Sequence, residues 1–159
     1  MPGTLNFQKV GRNIKIFAVV QVGLVAMLVY MAIYFQAQFQ AIGRANNFLY
    51  AVVMTFIIQL AFFYPINKFA GKEADRDLSM TAANLSTEEI KALTKKKRYG
   101  DIIKISALTF FVTFLMKAPN KPIVMSVLYF SFILTILTYL QCYNFAAKRQ
   151  MKQNTTPQA

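Results

Sequence analysis

Four long apolar stretches dominate the pattern of this chain. The first runs from Ile14 to Phe35 and is broken only by Lys15 at its start and by Gln21. The second runs from Phe48 to Tyr64, the third from Ile102 to Met116 with Lys104 near its start, and the fourth from Ile123 to Tyr143. A helix crosses the hydrocarbon core of a bilayer with roughly 20 residues, and ~17 is the usual lower bound. The first and fourth stretches meet this outright and the second narrowly. The third meets it once Tyr99 and Lys104 count as interfacial and the stretch is carried to Ala118, because a lysine can extend its ammonium to the headgroups. No Lys, Arg, Asp, Glu, Asn or Gln stands in Val22–Tyr34, Leu60–Ile66, Ile105–Met116 or Ile123–Leu140. A water-soluble four-helix bundle needs a polar face on each helix, so this pattern excludes it. The expected architecture is all-α, a polytopic transmembrane bundle with spans at about 14–35, 48–66, 101–118 and 122–143. A cytoplasmic loop over 67–100 and a disordered polar tail over 152–159 complete it. The first apolar stretch exceeds the ~7–15 residues of a cleaved signal's core, so it is read as a retained first helix.

Between the second and third stretches the chain turns polar, and all six acidic residues lie there. Ser86-Thr87-Glu88-Glu89 spells a capping box, in which Ser86 accepts from the Glu89 backbone N–H and the Glu89 side chain reaches back. The spacing predicts a short cytoplasmic helix from Ser86 to Tyr99, acidic at its start and basic at its end as the helix dipole favours, with a bend at Gly100 before the third span. Lys117-Ala118-Pro119-Asn120-Lys121-Pro122 is a tight turn that makes the third and fourth spans an antiparallel hairpin.

Charge then orients the spans. The net charge is +12, which in a soluble chain would point to nucleic acid. With Lys104 set apart, fourteen Lys and Arg fall in the N-terminal segment, the 67–100 loop and the tail, against Arg44, Lys117 and Lys121 on the opposite side. The positive-inside rule places the fourteen, and both termini, in the cytoplasm, as in a bacterial inner membrane. This accounts for the charge without nucleic acid. Lys95-Lys96-Lys97-Arg98 reads as a topology signal at a helix entrance, or as a contact for anionic lipid or an acidic partner. Tyr34 and Tyr50 at the outer ends, and Tyr64, Tyr99, Tyr139 and Tyr143 near the inner ends, fit an interfacial belt.

Candidate chemistry is sparse. The chain has no His and one Cys, Cys142. Haem ligation by His, a His-based protease and a His-ligated metal site are therefore excluded. No Asp or Glu falls inside a predicted span, which argues against a proton relay. No nucleotide or metalloprotease motif is present. The reading is of a protein that is not an enzyme and has no cofactor and no metal. Cys142 is read as a small buried residue. What remains is uncharged: Gln21 and Gln59 fall at matched depth on neighbouring antiparallel helices and are expected to bond each other. Ser106, Thr109 and Thr113 share one face of the third span, and Ser131, Thr135 and Thr138 one face of the fourth. These faces serve helix packing or line a polar path.

Gly100-Asp101-Ile102-Ile103-Lys104 is similar to the Gly-Glu-x-x-Lys pattern that opens the third helix in accessory subunit I of F-type ATP synthases, with Asp for Glu. Four spans, cytoplasmic termini and a C-terminal hairpin also resemble that family. Its small-residue-rich second helix is not matched by the Phe-rich stretch here. The resemblance implies a role in rotor-ring assembly. The residues themselves point more broadly to an accessory, assembly or scaffold subunit of a larger membrane complex. Its partners would be membrane lipids and other membrane subunits or itself. An oligomeric channel or carrier for a small solute is the alternative.

Overall fold

The computed structural model describes residues 8–82 and 85–155, the last two in backbone only. It is all-helical: α1 (Gln8–Ala41), α2 (Asn46–Ser79), α3 (Thr87–Lys117) and α4 (Pro122–Thr155). Each is long and apolar enough to cross a membrane, which is compatible with a multi-pass membrane protein. Large apolar side chains point outward along the shaft, with Leu60 76% and Met116 79% exposed. Water would not tolerate such a surface on a monomer.

The helices outrun the apolar stretches that announce them. Thirty-four residues rise roughly 50 Å, against ~30 Å of hydrocarbon. Two expectations change for this reason. The segment after Ile66 is not a loop, because α2 continues through Pro65 to Ser79. Ala70, Ala74 and Leu78 recur at helical spacing there and are buried, so packing holds the helix past the onset of charge. The separate short helix before the third span does not exist either. Its predicted start is correct: Ser86 Oγ accepts from the Glu89 N–H at 3.2 Å, and Glu89 Oε2 accepts from the Ser86 N–H at 2.8 Å. The helix so started runs through Gly100 without interruption to Lys117. Likewise α4 extends to Thr155, into the expected tail, whose remaining residues 156–159 lie outside the described residues.

The turns follow local rules. Gly43 has φ +69, the left-handed conformation that glycine adopts without a Cβ penalty. The Arg44 N–H bonds the Phe39 carbonyl at 2.9 Å and the Gly43 N–H bonds that of Gln40 at 3.0 Å, a Schellman end to α1. Ala118 closes α3, and Pro122 opens α4, where its missing N–H costs nothing.

Helix α4 is the centre. It shares its largest interface with α2, packs on α1 next, and touches α3 least. Two apolar clusters mark the two ends. At one, Phe35 and Phe39 of α1 gather with Phe48 of α2 and Phe130 of α4. At the other, Val10 of α1 meets Ala70, Ala74 and Leu78 of α2 and Tyr143 and Ala147 of α4. The start of α1 and the end of α4 therefore share one end, and α2 and α4 run in the same direction. Helix α3 is peripheral, with Gly100 its one buried residue.

Candidate functional site

All four helices meet in a polar cluster at the end that carries the start of α1 and the end of α4. Its middle is Glu73, only 2% exposed. Glu73 Oε1 accepts from Arg76 Nη2 at 3.0 Å and faces Lys104 Nζ at 3.2 Å. Its other oxygen accepts from the Tyr139 hydroxyl. Arg76 also donates to Asp77 Oδ1 at 3.1 Å and to the carbonyl of Lys96 at 3.4 Å. Asp77 Oδ2 accepts from the Tyr143 hydroxyl at 2.7 Å. Lys104 bridges onward to Asp101 at 2.8 Å. Phe17 of α1 closes the cluster with an edge-on contact to the Tyr143 ring, centroids 5.0 Å apart. A buried carboxylate is costly unless it is paired and hydrogen-bonded, and Glu73 is both.

The local sequence explains the geometry. Glu73 and Asp77 stand one turn apart on α2, and Tyr139 and Tyr143 one turn apart on α4. Two helices running in the same direction can make both pairings at once. Gly100 lets α3 approach: a Cβ there would lie 2.5 Å from Glu73 Oε1 and 2.8 Å from Arg76 Nη1. The glycine expected to bend the chain instead clears space for a guanidinium and a carboxylate. Tyr139 and Tyr143 are correspondingly not belt residues at a membrane surface, since their hydroxyls are spent on α2.

The structure treats the other sequence-selected residues unequally. Gln59 does not pair with Gln21. Its Nε2 donates to Thr138 Oγ1 at 2.6 Å and to the Leu134 carbonyl at 3.4 Å, and its Oε1 accepts from Thr135 at 3.5 Å. The Nε2 of Gln21 is buried with no hydrogen-bond partner. Register is the reason. Val10 packs near Leu78 and Phe39 near Phe48, which sets Gln21 about seven residues, or roughly 10 Å, along the axis from Gln59. Thr135 and Thr138 are thus brought to an amide, while Ser131 is buried with its hydroxyl unpartnered. Ser106, Thr109 and Thr113 face outward from the bundle. Lys95, Lys96, Lys97 and Arg98 are exposed, and only the backbone carbonyl of Lys96 enters the cluster. Cys142 is half-buried. Among the described residues no group of three His, Cys, Asp or Glu side chains could hold a metal ion.

Comparison of the chain with protein-family models, curated proteins and solved structures finds no match.

Without a relative to lean on, the cluster must be judged by its chemistry. Every carboxylate in it already has an internal cation or hydroxyl, and no pair of groups is left as nucleophile and base. The arrangement ties helices together. Sequence reasoning missed Glu73, Arg76, Asp77 and both tyrosines because the onset of charge after Ile66 looked like solvated loop. The available signal was the matched one-turn spacing of Glu73/Asp77 and Tyr139/Tyr143, with Ala70 and Ala74 at the same helical spacing beside the first pair.

Proposed function

We propose that this protein is an accessory, assembly or scaffold subunit of a larger membrane complex, and that it performs no catalysis itself. One observation carries the reading. Helix α3 is fastened to the bundle around Gly100 and Lys104, with Phe111 against Phe132 of α4, and the outer face of its later half is largely apolar, including Phe110 and Phe114, 62% and 51% exposed. A helix anchored by a polar lock at one end and open along its shaft suits lateral docking against helices of another subunit, where van der Waals packing drives association. Both termini and the basic end would lie in the cytoplasm. That end holds every Lys and Arg except Arg44, Lys117 and Lys121, the imbalance the positive-inside rule describes.

Copurification from native membranes in mild detergent tests this. A fixed set of partner subunits in constant ratio is expected, and Phe110→Ala with Phe114→Ala should release them while the helical content stays unchanged. Isolation of the chain alone, with the double variant behaving identically, would overturn the proposal. A second reading, an oligomeric channel or carrier, is favoured by the outward hydroxyls of Ser106, Thr109 and Thr113, which copies of the chain could turn toward a shared path. Solute flux through a homo-oligomer in liposomes would select it. A rotor-assembly role of the subunit I kind rests on Gly100, Asp101 and Lys104, all three at the lock, and copurification with a rotor ring would single it out.

A further inference from the structure

Beside the polar cluster, α2 and α3 enclose an open cleft of about 600 Å³. Its lining changes character along its length. Phe69 of α2 and Ile103 of α3 form the end nearer the apolar stretches. Tyr99, Lys72 and Lys96 come next, and Ser79 and Leu93 lie at the far end. From Phe69 and Ile103 to Lys72 and Lys96 this is the order of polarity met on crossing from acyl chains through glycerol to a charged headgroup.

The charges of the cleft are unequal in availability. Glu73 and Asp75 line it; Glu73 is held by Arg76, Lys104 and Tyr139, while Asp75 accepts from the neutral Gln150 amide and keeps its charge, one carboxylate against the two lysines. Arg76 is engaged by Glu73 and Asp77. Lys72 and Lys96, on opposite walls, make no ion pair among the described residues. Two lysines outside the ion pairs thus line opposite walls of a cleft that also holds Phe69, Tyr99 and Ile103. We propose that this cleft binds an anionic glycerophospholipid of the surrounding bilayer, its phosphate between Lys72 and Lys96 and an acyl chain along Phe69 and Ile103. The inference does not depend on the accessory-subunit reading. It concerns a site, where the basic run Lys95–Arg98 offers only diffuse charge.

The test is titration of the purified full chain in mild detergent with phosphatidylglycerol, or with phosphatidylcholine of the same acyl chains, and counting of lipids retained per chain by native mass spectrometry. One phosphatidylglycerol should bind well above the others, and phosphatidylcholine should not. Lys72→Gln with Lys96→Gln should weaken that binding about fivefold per lysine, about thirtyfold together. Both side chains are exposed, so the variant should keep the thermal unfolding of the parent. Lys95→Gln with Lys97→Gln removes the same charge outside the cleft and should change binding less than about threefold. Equal weakening by the two double variants would mean a diffuse basic film and overturn the site. Equal retention of phosphatidylcholine would overturn the role of the lysines. Displacement of the lipid by inorganic phosphate at matching concentration would overturn the role of Phe69 and Ile103.

Discussion

The two ends of this bundle solve the same packing problem with opposite materials. At the Phe-rich end, Phe130 stands between Phe35 and Phe48, with ring centroids 5.8 and 6.3 Å away and both contacts edge-on. No Asp, Glu, Lys or Arg side chain belongs to this cluster. At the other end the helices approach on alanines, and the Lys104–Glu73 ion pair and tyrosine hydroxyls bridge them. Ring packing is tolerant: a neighbour that slides still finds apolar surface. A buried carboxylate is not tolerant, because displacement leaves it without partners. The polar end therefore fixes register and the position of α3, and the aromatic end fills volume.

The sharpest way to break this contrast is to remove the middle of each end. Glu73→Ala leaves Arg76 and Lys104 facing each other without their shared carboxylate. Breaking one partner of a buried ion pair costs about 3–5 kcal/mol. Phe130→Ala removes a ring but orphans no polar group, and about 3 kcal/mol is expected, near the low end for such truncations. The size of the loss separates the two less than its kind. Glu73→Ala should free α3, so that a cysteine placed at Phe111, half-buried against Phe132 of α4, reacts faster with thiol reagents in a Cys142→Ser background, while Phe130→Ala should leave its rate at the parent's. Unfolding in mixed micelles gives the energies. Equal α3 lability in both variants would show that the polar end has no special hold on that helix.

How much of this was legible beforehand differs between the ends too. All of the aromatic end but Phe39 lies within apolar stretches, and the pattern of those stretches placed its helices. Four helices, the turn at Pro119–Pro122 and the capping box at Ser86 all follow from local rules that act over a few residues. The polar end was illegible where it depended on tertiary context. Charge after Ile66 signals loop when its partners are unknown, yet Glu73 and Arg76 stay helical because α3 and α4 supply those partners. Gly100 illustrates the same gap. A glycine after a basic run suggests a bend, and only the position of Glu73 shows that the missing Cβ is what matters. The Gln21–Gln59 pairing failed because depth was judged from the ends of apolar stretches, whereas register is set by Val10 against Leu78 and Phe39 against Phe48.

Gly100→Ala sharpens the comparison with a smaller effect. The added methyl meets Glu73 Oε1 at 2.5 Å, and that oxygen is held by two cations. Overpacking of this kind costs about 1–3 kcal/mol. In a Glu73→Ala background that contact is gone and the Arg76 guanidinium, which a Cβ would meet at 2.8 Å, is released from Glu73 and can shift, so the same substitution should cost less. A double-mutant cycle reports the difference directly. Additive losses would show that the glycine is needed for some other reason than to seat α3 against the carboxylate.

The smallest effect tests the middle of the shaft, where neither end's material is used. Gln59 binds Thr138 and Thr135 on α4, a neutral analogue of the ties that Tyr139 and Tyr143 make below it. Hydrogen bonds between membrane helices contribute about 0.6 kcal/mol on average, because an unfolded helix in lipid finds other partners. Gln59→Leu and Thr138→Val should each lower stability by about that amount, and the pair together by little more than either alone. Gln21→Leu supplies the contrast. Its Nε2 is buried with no partner, so replacing it removes an unmet donor and should stabilise the bundle or leave it unchanged. Unfolding of the three variants in the same micelles decides the matter. A loss at Gln21 as large as that at Gln59 would mean that the two amides meet after all, and that the register read from the two apolar clusters is wrong by about two turns of α1.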